Sequence, residues 1–414
     1  MLVEELVQEF AGIWRTSGAH VPQLGATYSA DGKLSREAHL QQFLQTLESL
    51  QQRNTRDRSD VAEAEAVFFS ALRKCLTSGL DFEDDHVDII LSHDFTEATQ
   101  EFLTKARRFD PAIGSDDISQ ACRNVWVMNV WQRMLDLPVE VTPAVFAYSL
   151  LYPYTDNYLD DPEISAGTKT AFNARLSQRL AGAPVGAVSS REQIIFDLVG
   201  IIEAQYERSR HRRVFDSLLA IHRAQQKSLR LLDPEASLSE EDVLEISLEK
   251  GGASVLADGY LVSGSLTEPQ ERFLFGYGAY LQLADDLQDV QTDCDSGLLT
   301  VFSQASTHSQ LDALTNRTYH FGNTVMECAD CFGAGRSSAL LNLMKRSVVM
   351  LLTGAVGLAE RFYSESYVRE LETYSPFRFS FLRKHRDNLP GYKMSAMKLL
   401  QEFEASNAGS PLDP

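Results

Sequence analysis

The chain has 414 residues, with 38 Lys and Arg against 58 Asp and Glu, a formal charge of −20. Apolar residues make up 44% and charged residues 23%, which excludes wholesale disorder. Charge of this sign disfavours broad binding to nucleic acid or to anionic membranes, and it is awkward for an anionic substrate.

From the N-terminus, Met1–Phe10 carries acids and no long apolar core, so no signal peptide is expected. Apolar residues then recur at three- and four-residue spacing through Leu40–Leu50, Val61–Leu76, Ile118–Met134, Ile194–Tyr206, Val214–Leu232, Val243–Val262, Phe273–Val290 and Leu340–Phe362. Alternating β-branched runs are scarce, so no sheet is predicted. Breaks fall at His20–Lys33, Ala181–Ser190, Asp233–Glu240 and Leu298–Ser309, where Gly, Pro, Ser, Thr and Asp collect. Ser190 before Glu192, and Ser239 before Glu240–Asp242, read as helix starts. The expectation is an all-α protein: residues 1–100 a helical extension, 101–404 one catalytic-size bundle around an apolar cavity, and 405–414 a frayed tail.

Five cysteines, sparse and odd in number, fit reduced thiols in a cytoplasmic protein better than a disulfide framework. Cys328 and Cys331 form a lone C-x-x-C without the second pair a zinc site needs, and read as core-facing residues on a helix. The most apolar stretch, Ser347–Ala359, is too short to span a bilayer. No H-E-x-x-H and no G-x-S-x-G is present, so those hydrolytic chemistries lack support.

Two acidic clusters stand out. In Thr155–Pro162, Asp156 and Asp160 are four apart and share a helix face. Like charges at that spacing destabilise a helix by a few tenths of a kcal/mol, so water or a cation must offset them. In Gln282–Asp293, Asp285, Asp289 and Asp293 continue a stripe that begins with Tyr277, Gly278 and Leu281, apolar below and charged above. Magnesium takes oxygen ligands from one or two carboxylates and from substrate phosphate, and so explains both clusters. The alternative is two solvated acidic faces. Asp81–Asp85 is equally acidic but loop-like, and reads as surface.

Thr155-Asp156-x-x-x-Asp160-x-Pro162 resembles the first aspartate motif of squalene and phytoene synthases. Gln282-x-x-Asp285-x-x-x-Asp289-x-x-x-Asp293 resembles their second. Asp285, Asp286 and Asp289 also match the second D-D-x-x-D of chain-elongating synthases. Glu249-Lys250-Gly251-Gly252-Ala253-Ser254 is similar to the segment carrying a diphosphate-binding lysine. Taken together over roughly Asp110–Arg386, these segments resemble the class I isoprenoid synthase superfamily, with its squalene/phytoene synthase-like and bacterial class 1 terpene synthase branches.

The resemblance implies an all-α isoprenoid synthase bundle and a terpene synthase that ionises a linear all-trans prenyl diphosphate and cyclises or quenches the cation. Three Mg²⁺ per site would be held by Asp156, Asp160, Asp161, Asp285, Asp286, Asp289 and Asp293. Lys250, Arg378 and Arg383 would grip the diphosphate, with Tyr374 beside Arg378 on a C-terminal lid. Tyr148, Tyr152, Tyr277, Leu281 and Gln282, in register with the aspartates, would line the substrate pocket. Elongating synthases follow their first motif with paired arginines, and Glu163–Lys169 has none, so condensation of two prenyl units is the alternative rather than the leading reading. The expected partner is a small prenyl diphosphate, with no nucleic acid and no transmembrane segment, and a homodimer stays open.

Overall fold

The computed structural model describes residues 3–53, 58–233, 235–306, 310–333, 338–386, 395–396, 398–400 and 402–403. The expected frayed tail, 405–414, lies outside the described residues. Among the described residues there are helices and no strand. In order they are α1 (Val3–Thr16), α2 (Ala30–Gln51), α3 (Arg58–Lys74), α4 (Asp84–Ile90), α5 (His93–Phe109), α6 (Ser115–Met134), α7 (Pro143–Asp160), α8 (Ala166–Leu180) and α9 (Ser190–Gln205). There follow α10 (Arg212–Ser228), α11 (Glu240–Ser263), α12 (Glu268–Gln288), α13 (Val290–Ser296), α14 (Val301–Ser306), α15 (Asp312–Glu327), α16 (Ser338–Leu358), α17 (Glu365–Tyr374) and α18 (Phe379–His385).

The helices that matter most start where local chemistry predicts. Thr142 caps α7 by accepting the Val145 N–H, with Pro143 in the first turn, where its missing N–H costs nothing. Ser239 and Asp242 form a reciprocal capping box on α11. The α9 cap is Ser189, one residue before the expected Ser190, because the Ser189 hydroxyl is the one that accepts the Glu192 N–H.

The centre of the fold is the pair α11 and α12, which pack along their length. Their buried residues include Gly251, Gly252, Gly276 and Gly278, so the two backbones lie close. Around the pair stand α1, α6, α7, α10, α15 and α16. The helix α1, at the start of the expected N-terminal layer, is part of this core: the Phe10 ring lies 5.7 Å from Phe275 and 6.1 Å from Phe321. A separate small cluster joins Leu44, Leu47 and Phe68 of α2 and α3 to Leu399 and Phe403.

In the acidic run 81–85, Glu83, Asp84 and Asp85 are exposed, Asp84 and Asp85 open α4, and Asp81 is pinned: it takes a left-handed backbone (φ 61°), pairs with Arg36 at 2.7 Å and Arg346 at 3.2 Å, and accepts the Tyr28 hydroxyl. Cys328 and Cys331 sit on a 3₁₀ turn after α15, half-buried, with the Arg272 guanidinium 3.0 Å from the Cys328 sulfur; all five cysteines are free. Ser347–Ala359 lies mostly in α16, which is long and apolar enough to cross a membrane by length and composition, and which here packs against α12, α17 and α18.

Candidate active site

A cavity of ≈ 260 Å³ opens between α7, α8, α10 and α11. Leu151, Leu176, Leu180, Leu218 and Ile221 give it an apolar stretch of wall. Tyr148, Tyr152 and Asp156 of α7, spaced four apart, line one side, and Lys250 of α11 lines the other. A larger apolar cavity of ≈ 580 Å³, among α2, α3, α5, α6 and α16, has no titratable side chain in its lining.

The two acidic clusters come within electrostatic reach of each other at Tyr152, which lines the smaller cavity. The Tyr152 hydroxyl is pushed up to about 12 by burial and by the negative charges of Asp156 and Asp285, with Arg123 opposing. One side chain of α7 thus feels the carboxylates of both clusters. On α12, burial and then the Asp289 charge raise Asp285 above the usual carboxylate range, against the pull of Lys250 and Arg123. Deeper in, burial pushes Asp286 up to about 6, although Gln282 donates to it at 2.7 Å and Ser247 and Lys250 lie beside it. Burial, together with Asp286, Asp289 and Asp285, pushes Asp293 up to about 7.

The stripe itself is not one continuous helix. It bends at Asp289, between α12 and α13, yet the Asp289 N–H still donates to Asp285 and the Asp293 N–H to Asp289, both at 2.9 Å. The four-residue register therefore survives the bend, with Asp289 exposed and Asp286 and Asp293 buried.

These residues fit a cation. The carboxylates repel one another, their charges are only partly answered by Lys250 and Arg123, and one buried oxygen of Asp286 has no hydrogen-bond partner. As the side chains stand, no three His, Cys, Asp or Glu among the described residues are gathered closely enough to hold a metal. The Asp160 side chain lies outside the described residues. Asp161 is engaged by Arg191 at 2.5 Å and by the Glu163 N–H, and that pair holds its carboxyl below the usual range.

Several expected residues lie elsewhere. Arg378 forks onto both oxygens of buried Glu37, and Arg383 holds the Gly357 carbonyl and Glu360. Their hydrogen bonds are spent in tying α18 to α2 and α16, and neither lines the cavity. Tyr277 is buried among Trp131 and Phe273, 5.4 and 6.1 Å between ring centres, and Leu281 packs on the main core; neither reaches the cavity. Gln282 serves Asp286 rather than the cavity wall. The sequence reading missed Arg123 of α6 and the polar group Asn173, His222, Gln225 and Gln226 on the cavity wall. None of these belongs to a motif. Only the packing of α6, α8 and α10 brings them in.

No family model matches the sequence, and no curated protein matches it. Two solved structures are similar in helical arrangement. One is a geranylgeranyl pyrophosphate synthetase from Pyrococcus horikoshii Ot3, 16% identical with a TM-score of 0.34, covering 70% of this chain and 95% of that one. The other is a geranylgeranyl pyrophosphate synthase, 13% identical with a TM-score of 0.30, covering 77% of this chain and 93% of that one. Likeness this loose carries no argument about activity.

Proposed function

We propose that this chain is a Mg²⁺-dependent enzyme that ionises a prenyl diphosphate, as in the class I isoprenoid synthases its motifs resemble. The observation that carries the reading is that Asp156 and Lys250 line one cavity, while Asp285 and Arg123 act on Tyr152 of the same cavity and Lys250 acts on Asp285. Such charged groups suit a diphosphate, and an apolar stretch of wall suits a hydrocarbon chain and excludes water from a cation.

In this reading Asp156, Asp285 and Asp289 hold the metal, with Asp286 and Asp293 behind them. Mg²⁺, when bound, supplies Lewis-acid stabilisation of the leaving diphosphate. Lys250 and Arg123 add positive charge on the same side. Tyr148 and Tyr152 present ring faces along the chain's path, where a carbocation is stabilised. Metal bridging also reconciles an anionic substrate with a protein of charge −20.

The cation then either loses a proton or is captured within one prenyl unit, the lyase outcome, or adds to a second unit, the condensing outcome. Incubation with Mg²⁺ and each of a panel of prenyl diphosphates, read by released diphosphate and by product mass, tests the reading. Release of diphosphate with an unchanged carbon count identifies a lyase, and a larger carbon count identifies a transferase. No release from any member of the panel would overturn the proposal.

A further inference from the structure

The wall of the cavity carries a base that the aspartate chemistry does not use. His222 of α10 is buried, 6% exposed, and lines the cavity with Leu218 and Ile221 of its own helix and Asn173 of α8. Its Nε2 lies 3.2 Å from the Asn173 main-chain carbonyl oxygen. A carbonyl oxygen can only accept, so Nε2 carries the ring hydrogen. The Gln226 side-chain nitrogen lies 3.2 Å from the same ring nitrogen, and an Nε2–H requires that amide to turn its oxygen to the ring instead. Nδ1 is then a bare lone pair. The ring's hydrogen bonds are made at Nε2, and the ring lines the cavity.

Charge agrees with this geometry. Burial holds the imidazole below its ordinary value, with neighbouring Arg223 adding to the effect and the Asn173 carbonyl opposing it. Burial therefore favours the neutral ring. The other wall groups nearby, Gln225, Gln226 and Asn173, are uncharged amides, and one buried oxygen of Asn173 has no partner.

We propose that His222 is the proton acceptor that ends the reaction, taking a proton from the carbocation through Nδ1. The inference rests on the proposed ionisation of a prenyl diphosphate. The balance is as follows. The C–O bond of the allylic diphosphate breaks, and its electron pair leaves with diphosphate. Nδ1 takes a proton from a carbon next to the cationic carbon, and that C–H pair becomes a C=C bond. In the condensing outcome the π pair of the second prenyl unit first forms the new C–C bond, and the resulting cation loses its proton in the same way. The imidazolium returns its proton to solvent as products leave. A neutral base in an apolar site, set in one tautomer by a main-chain carbonyl, is suited to this step.

The test compares wild type with His222→Gln and His222→Phe, using Mg²⁺ and the prenyl diphosphate that wild type accepts. Released diphosphate and product identity are measured separately. The expected result is diphosphate release within about tenfold of wild type, with proton-loss products falling by about 10²-fold against water-captured ones. Unchanged products at unchanged rates in a folded variant would overturn the role of His222 and leave the proposed function standing. Absence of diphosphate release by wild type would overturn both. A measurement free of substitution is ¹⁵N NMR of histidine-labelled wild type. It should show a neutral Nε2–H tautomer whose Nδ1 signal moves when Mg²⁺ and an unreactive thiodiphosphate analogue bind. An Nδ1–H tautomer, or an Nδ1 signal that does not move, would overturn the proposal.

Discussion

Gly251 and Gly278 meet backbone to backbone where α11 crosses α12. A Cβ on Gly251 would stand 2.3 Å from the Gly278 carbonyl oxygen, and one on Gly278 would stand 2.2 Å from that of Gly251. Neither oxygen belongs to a flexible side chain, so the helices themselves would have to part. This contact sets how closely Lys250 approaches Asp285 and Asp286, the carboxylates whose charge it answers. Gly251→Ala is expected to destabilise the fold by about 1–3 kcal/mol, as overpacking does. It should also weaken Mg²⁺-dependent diphosphate binding in whatever fraction stays folded. Denaturant unfolding and a binding titration check the two effects separately.

If the facing carboxylates hold metal, diphosphate and Mg²⁺ together should stabilise the native state. Ligand at about one hundred times its dissociation constant adds roughly 2.7 kcal/mol, readable as a higher melting temperature. Asp156→Ala and Asp289→Ala should each abolish that rise while leaving the unliganded melting temperature nearly unchanged, because Asp289 is exposed and Asp156 lines the cavity. In EDTA, diphosphate alone should give no shift. A scaffold whose acidic faces are merely solvated predicts no joint shift in wild type, and measurable diphosphate affinity in EDTA would contradict metal bridging.

The raised carboxylates make stability depend on pH in a particular direction. An unfolded aspartate titrates near about 3.9. Folded, Asp286 titrates at about 6 and Asp293 at about 7. Between these values the native state keeps protons that the unfolded chain has released. In the absence of metal their contribution to stability is therefore intact below about pH 4, falls as pH rises through 6 and 7, and is level above. Asp293→Asn should flatten the wild-type fall between about pH 4 and 7. Adding Mg²⁺ should stabilise wild type more at pH 8 than at pH 5, because the metal binds the ionised carboxylates. Melting curves across pH, with and without Mg²⁺, supply both comparisons.

How much of this was written in the sequence depends on the range of the interaction involved. The all-α class was legible because helical periodicity is local, and caps such as Ser239–Asp242 need only three residues of context. The aspartate stripe was legible because a four-residue step is read along one chain segment, even though α12 ends at Gln288 and the stripe bends. Arginines at the C-terminus could not be placed the same way. Arg378 is held by Glu37, 341 residues away, and no local pattern announces that pair. Arg123 and His222 were invisible for the same reason: each sits on a helix with an ordinary face pattern, and only the crossing of α6, α8 and α10 with the centre gives it a role. Asp81 went the other way, since a loop-like acidic run hid a residue pinned by two arginines.

Arg123 offers the sharpest separation of charge from structure. Its side chain is exposed and its field reaches both Tyr152 and Asp285. An exposed arginine contributes little to folding, because surface ion pairs are worth about 0–1 kcal/mol. Its contribution to binding a diphosphate is larger, since guanidinium–phosphate hydrogen bonds are charge-assisted on both sides. Arg123→Gln should therefore leave the melting temperature within a degree or two of wild type and weaken Mg²⁺-diphosphate affinity by about tenfold, roughly 1.4 kcal/mol. Arg123→Lys should recover part of that loss, because it restores the charge without the bidentate fork. Calorimetric titration of inorganic diphosphate at fixed Mg²⁺ measures it directly. An affinity unchanged in Arg123→Gln would remove Arg123 from the site and leave Lys250 as the cation facing the carboxylates of α12.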